Sequence, residues 1–149
     1  MRVVIQRVKH ACVLIDKKEK RSCGPGLLIL LGIEHNDNKN DVNWLVNKVL
    51  NLRIFGDRMG VMNKSLLDVQ GDLMVVSQFT LMAETKKGNR PSYIRAAKHK
   101  HAIPLYDLFV RTSQLELSTP VITGSFGSDM EIDLVNDGPV TIWIDSKNK

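Results

Sequence analysis

A chain of 149 residues, 43% hydrophobic and 25% charged, is long enough to build a core without disulfide or metal staples, and its composition is that of an ordinary globular protein. The start, Met1-Arg2-Val3-Val4-Ile5-Gln6-Arg7-Val8, is too short and too charged for a secretory leader, no apolar run approaches the roughly 20 residues of a membrane helix, and Cys12 and Cys23 lack CxxC spacing. The net charge of +5 is local: of 21 basic residues, Lys86, Lys87, Arg90, Arg95, Lys98 and Lys100 crowd into 86–100 with no acid among them, leaving 15 against 16 acidic residues elsewhere.

These bounds lead us to expect one domain, residues 1–149, in a reducing cytoplasmic compartment, with both thiols inert and no membrane association. The basic run has two readings of equal weight. It is the footprint of a phosphate-bearing partner, or it is a solvated loop that keeps the protein soluble.

In chain order, residues 2–8 and 11–15 alternate as strands, with Asp16-Lys17-Lys18 as a polar turn. Gly24-Pro25-Gly26 punctuates the chain before Leu27 to Ile33, a continuous apolar run that reads as a strand buried on both faces. Val42, Leu45, Val46, Val49 and Leu50 then form one helical stripe, with Asp37, Asn38 and Asn40 as candidate N-caps. Leu52 to Phe55 leads out to a turn at residues 56–60.

Leu73 to Leu81 reads as a strand, and residues 83–97 as a long Lys/Arg-rich connection of the kind that is functional or disordered. A second helix is expected to open at Pro104, with Leu105, Leu108, Phe109 and Thr112 inward. Gly124-Ser125-Phe126-Gly127 resembles a turn and is given no phosphate role. Finally Met130, Ile132 and Leu134, then Val140, Ile142 and Ile144, alternate about Asp137-Gly138, which predicts two strands and a tight connection. The expected fold is α/β, mostly β, with two main helices packed on a sheet in a closed-sheet or sandwich architecture.

Few residues announce chemistry. His10, His35, His99 and His101 show no zinc spacing, Lys98-His99-Lys100-His101 reads as a solvated basic face, and neither a GxSxG elbow nor a P-loop occurs, so no metal or cofactor is expected. Two segments break strand chemistry. Ser77-Gln78-Phe79-Thr80-Leu81 ends an apolar strand with polar groups and a ring, suiting either a site floor or a strand leaving the core. Pro139, in Gly138-Pro139, cannot donate to a ladder; it is either a hairpin device with a trans bond or a special feature.

Taken together, these segments carry a resemblance. Gln6-Arg7-Val8, Gly24-Pro25-Gly26-Leu27, Asn51-Leu52-Arg53-Ile54-Phe55 and Ser77-Gln78-Phe79-Thr80-Leu81 occur in the order of one family. Lys87-Gly88-Asn89-Arg90-Pro91-Ser92 and Asn136-Asp137-Gly138-Pro139-Val140-Thr141 complete the series. The chain resembles D-aminoacyl-tRNA deacylase of the bacterial and eukaryotic type from Met1 to about Asp145, and only Lys98–His101 looks particular to this chain.

The resemblance implies a homodimer acting on aminoacyl-tRNA in translation proofreading. It implies that Ser77, Gln78, Phe79 and Thr80 line a pocket. It implies that a cis Gly138-Pro139 reaches into the partner subunit's pocket as a wall against L side chains, oriented by Arg7. Ala102 and Met130 align with pocket-wall positions. With that substrate, Lys86, Lys87 and Arg90 become candidates for tRNA phosphates.

Ester hydrolysis passes through an oxyanion, for which the N–H groups of Phe79 and Thr80 are candidate donors. Thr80 as nucleophile would need a base, and the motif holds none. Two rivals are a non-catalytic nucleic-acid-binding dimer and a peptidase-like hydrolase using Thr80.

Overall fold

The computed structural model describes all 149 residues. Its backbone is organised by one long strand, β1 (Arg2–Ile15). Asp16 and Lys17 take left-handed φ of 48° and 57° and reverse the chain into β2 (Glu19–Cys23). The register set by that turn never changes. Ile15 pairs Glu19, Ala11 pairs Cys23, and after Gly24-Pro25 the same ladder resumes with Val8 opposite Gly26 in β3 (Gly26–Gly32). β2 and β3 are one antiparallel partner of β1, interrupted where Pro25 has no N–H to give.

β3 pairs in parallel with β6 (Asp72–Ser77), and β6 with the short β7 (Ile122–Thr123). The other edge of β1 is covered along its length by β8 (Met130–Asp145). The sheet curls until its ends approach: the Arg21 guanidinium on β2 donates to Thr123 O at 2.7 Å and to Gly124 O at 3.1 Å beside β7. The mixed, mostly β, nearly closed sheet agrees with the expected architecture.

Both faces of the curl are filled. Leu27, Ile29, Leu31, Leu73 and Val75 join α1 (Lys39–Asn51) and α3 (His99–Glu116) in the larger core. Leu28, Met74 and Val76, on the alternate positions, join Val13, Ile15 and Cys23 in a second one. This alternation makes residues 27–33 apolar throughout, and burial of each large side chain contributes about 1.5–3 kcal/mol. β1 serves both cores: Val3 and Ile5 face the helices, whereas Val8, Ala11, Val13 and Ile15 face the second cluster.

α1 is capped by Asn38, not Asp37 or Asn40, in a reciprocal box with Asp41. Asp37 is instead buried, its carboxylate accepting from Glu34 N–H at 2.8 Å. A two-stranded ribbon, β4 (Phe55–Gly56) with β5 (Met62–Lys64), and a one-turn helix, α2 (Leu66–Val69), lead to β6. Both cysteines are free, and burial pushes the Cys23 thiol pKa up. No helix is long and apolar enough to cross a membrane.

Four expectations need correction. The second helix opens at His99, so Pro104 lies inside it, exposed, lacking one N–H bond; the first turn is supplied by the basic run. Its inner face is Ala102, Tyr106, Phe109 and Ser113, with Leu105, Leu108 and Thr112 at the flanks. The strand from Leu73 stops at Ser77, and Phe79–Met82 forms a 3₁₀ turn because Gln78 N–H still reaches Leu31 O (2.8 Å) while the chain bends away. Residues 130–136 and 141–145 do not form a hairpin: both pair with β1, and 137–140 bulge out where the register shifts opposite Gln6–His10.

Candidate active site

The 3₁₀ turn after β6 bounds a cavity of about 870 Å³. Ser77, Gln78 and Phe79 line it together with Ala102 and Met130, so five of the candidate residues meet in one place. Leu31 and Ile33 at the end of β3, Tyr93 and Phe126 complete a largely apolar wall. Phe79 is 58% exposed and meets Tyr93 edge-on, with ring centroids 5.1 Å apart, at the rim.

The turn is held from behind. Gln78 Nε2 donates to Thr80 Oγ1 at 2.6 Å, and the Arg2 guanidinium donates to Leu81 O at 2.9 Å. Gly32 lies so close that a Cβ there would stand 2.9 Å from Gln78 O. Thr80 does not line the cavity; its hydroxyl serves Gln78. The N–H groups of Phe79 and Thr80 open the 3₁₀ turn and find no acceptor within the chain, as the first donors of a helical turn do. Two fixed donors beside an apolar cavity can stabilise a developing oxyanion. No Asp or Glu lines the cavity.

Gly138, Pro139 and Arg7 are elsewhere. They do not line this cavity; Arg7 and Pro139 border a separate one of about 320 Å³ with Phe55, Met62 and Asp137. The Gly138–Pro139 bond is cis, and both residues are exposed. Arg7 projects from the irregular stretch of β1 and clamps the bulge. Its Nε lies 3.1 Å from Asp137 O and 2.9 Å from Asp137 Oδ2, and its Nη1 donates to Ile54 O. A bulge that re-aims a side chain is a common use of register irregularity.

The basic run divides. Arg95 is engaged by buried Glu34 at 2.5 Å and by Glu84 at 3.9 Å, and so pins the connection. Lys86, Lys87 and Arg90 are exposed on a small loop closed by the Glu84–Ser92 bridge, form no ion pair, and lie off the cavity. Lys98, His99 and Lys100, read from sequence as a solvated face, do line it. Only the helix start could have placed them there, and Pro104 pointed to a later one.

Comparison with known proteins is consistent along the whole chain. A family described as D-Tyr-tRNA(Tyr) deacylase matches residues 4–145. Proteins named D-aminoacyl-tRNA deacylase from Azobacteroides pseudotrichonymphae genomovar. CFP2 and Flavobacterium psychrophilum are each 60% identical over 149 residues, covering 100% of this chain and 99% of theirs. The one from Parabacteroides distasonis is 58% identical at the same coverage. A solved structure named c-Myc DNA Unwinding Element Binding Protein superposes with a TM-score of 0.91 at 36% identity, covering 97% of this chain and 98% of its own. A second, described as a probable eukaryotic D-amino acid tRNA deacylase, shares the fold with a TM-score of 0.82 at 17% identity, covering 96% and 97%.

Proposed function

The chain belongs to the D-Tyr-tRNA(Tyr) deacylase family, and from that premise we propose that it hydrolyses the ester joining a D-amino acid to the terminal ribose of tRNA. One observation carries the reading: the N–H of Phe79, which lines a cavity floored by Ser77–Phe79, and the N–H of the adjacent Thr80 make no bond within the chain. Water adds to the ester carbonyl, the oxyanion takes those two hydrogen bonds, and collapse expels the ribose oxygen. That oxygen leaves with one proton of the water as the hydroxyl, the amino acid leaves as its carboxylate, and the water's other proton passes to solvent. The adjacent ribose 2′-OH is the nearest group to guide the water's proton, since the motif supplies no base.

The acting unit in this proposal is a homodimer. Gly138 and Pro139, exposed and remote from their own chain's cavity, enter the partner's. Their backbone fills the space an L side chain would need. A wall of backbone has no rotamer to swing aside, so it rejects every L residue while leaving D side chains free. Glycine presents nothing to reject, so glycyl-tRNA also enters. Ala102 and Met130 shape the remaining wall, and Lys86, Lys87 and Arg90 meet phosphates of the acceptor stem.

The 36%-identical structure, named for binding a DNA element, favours a second reading: a nucleic-acid-binding protein without ester chemistry. Incubation with matched D- and L-tyrosyl-tRNA separates the two. Loss of the D ester alone is expected; binding of both with neither cleaved would give the second reading the lead.

A further inference from the structure

Three cation-capable side chains in succession, Lys98, His99 and Lys100, line the same cavity as the Ser77–Phe79 motif. None forms an ion pair or a side-chain hydrogen bond. They cap and open α3, whose first turn contains no acid and whose cap residue makes no side-chain bond to the helix. Cations at the positive end of a helix dipole are disfavoured. No carboxylate lines the cavity beside them, so their charge has no paired partner there. His99 is also held in place: its ring meets Phe126 edge-on at 5.5 Å, and Phe126 packs on buried Tyr106 at 5.7 Å.

We propose that Lys98 and Lys100, with His99 between them, bind the phosphodiester next to the esterified nucleoside. They would thereby position the ester against the motif. This rests on the deacylase reading, because only then does the cavity receive the 3′ end of an RNA strand. The two cationic groups then have different tasks. Lys86, Lys87 and Arg90, off the cavity, meet the stem; the α3 group meets the last single-stranded phosphate.

The test compares two small esters that differ by one phosphate, 3′-D-tyrosyl-adenosine and 3′-D-tyrosyl-adenosine 5′-phosphate, with D-tyrosyl-tRNA run in parallel. The wild type should favour the phosphorylated ester by about tenfold in kcat/KM, expressed in KM, which is the size of one charge-assisted contact. The double variant Lys98→Ala, Lys100→Ala should bring that ratio close to one. Neither side chain makes a capping bond or an ion pair, so the variant's melting temperature should hold close to that of the wild type. A wild-type ratio near one, or a variant that keeps the wild-type preference, overturns the inference. If the wild type leaves all three esters intact, the deacylase reading itself has failed and this inference falls with it.

Discussion

The hydroxyl of Thr80 accepts from Gln78, and Thr80 is not among the residues that line the cavity, which argues against Thr80 as a nucleophile. A Thr80→Ala enzyme should keep most of its single-turnover rate on D-tyrosyl-tRNA, measured by rapid quench; a folded but inactive variant would return the nucleophile to consideration. Gly32 has the opposite character. An added Cβ would press on Gln78 O at 2.9 Å and on Leu81 Cβ at 3.0 Å. Gly32→Ala should cost about 1–3 kcal/mol of stability by overpacking and about 100-fold in rate by displacing the motif. Circular dichroism melts and single-turnover assays read the two effects separately.

Asp41 contributes to the acid limb of stability. Burial raises its carboxyl pKa, but hydrogen bonds from Lys147 (2.8 Å) and Ser146 (2.7 Å) outweigh that and bring it down to about 2. A pKa depressed in the folded state gives stability that is present above the unfolded value of about 3.9 and lost as pH falls toward 2. Asp41→Asn should therefore be less stable by about 2 kcal/mol at pH 7, with the difference closing between pH 4 and pH 2 in urea titrations. Ser77 to Thr80 were legible as a motif, because a polar run ending an apolar strand stands out in sequence. His99 was not, since its role depends on where a helix begins.

Among the elements, those governed by local chemistry were the readable ones. The Asp16–Lys18 turn, the two-faced burial of β3 and the apolar stripe of α1 each follow from side chains within one short window. What escaped was decided by distant partners. The two alternating runs of β8 look like a hairpin on their own; they lie in line because β1 is long enough to pair with both. The start of α3 was hidden by Pro104, since a proline tolerated on an exposed helix face leaves the same trace as one that opens a helix.

The 83–97 connection carries its own prediction. If Lys86, Lys87 and Arg90 meet duplex phosphates, replacing all three by Ala should flatten the dependence of log Kd on log salt by about 0.9 for each phosphate no longer neutralised. Filter binding at several salt concentrations measures this, and an unchanged slope would reduce them to solubilising residues.

At the scale of the molecule, the curled sheet was foreseeable as a class but not in its closure. Arg21 ties β2 to the far strand through carbonyls some hundred residues away, and no local pattern announces that. The curl also leaves Gly138 and Pro139 exposed and away from their own chain's cavity, which allows a test of shared sites. If the sites are shared as proposed, Phe79→Pro, which removes the Phe79 N–H at the first position of its turn, disables the motif half of a site and Arg7→Ala loosens the wall half. Each variant alone should be nearly inactive. Randomly mixed after dissociation and reassociation, they should regain about a quarter of wild-type activity, because half of the pairs are mixed and each mixed pair holds one intact site. Complete absence of complementation would mean that every chain is self-sufficient.

A site finished by a second copy makes the amount of enzyme a catalytic variable. Upon dilution below the dissociation constant of the pair, total activity should fall as the square of the chain concentration, so that turnover per chain falls in proportion to it instead of staying constant. The same molecules should recover when an inactive Phe79→Pro chain is added in excess, since each working motif then regains a wall. On the proposed shared site, stereochemical fidelity is independent of abundance: a cell with too little of the protein would lose clearance rate, and what clearance remained would keep its handedness, because an unpaired chain has no complete site in which to err.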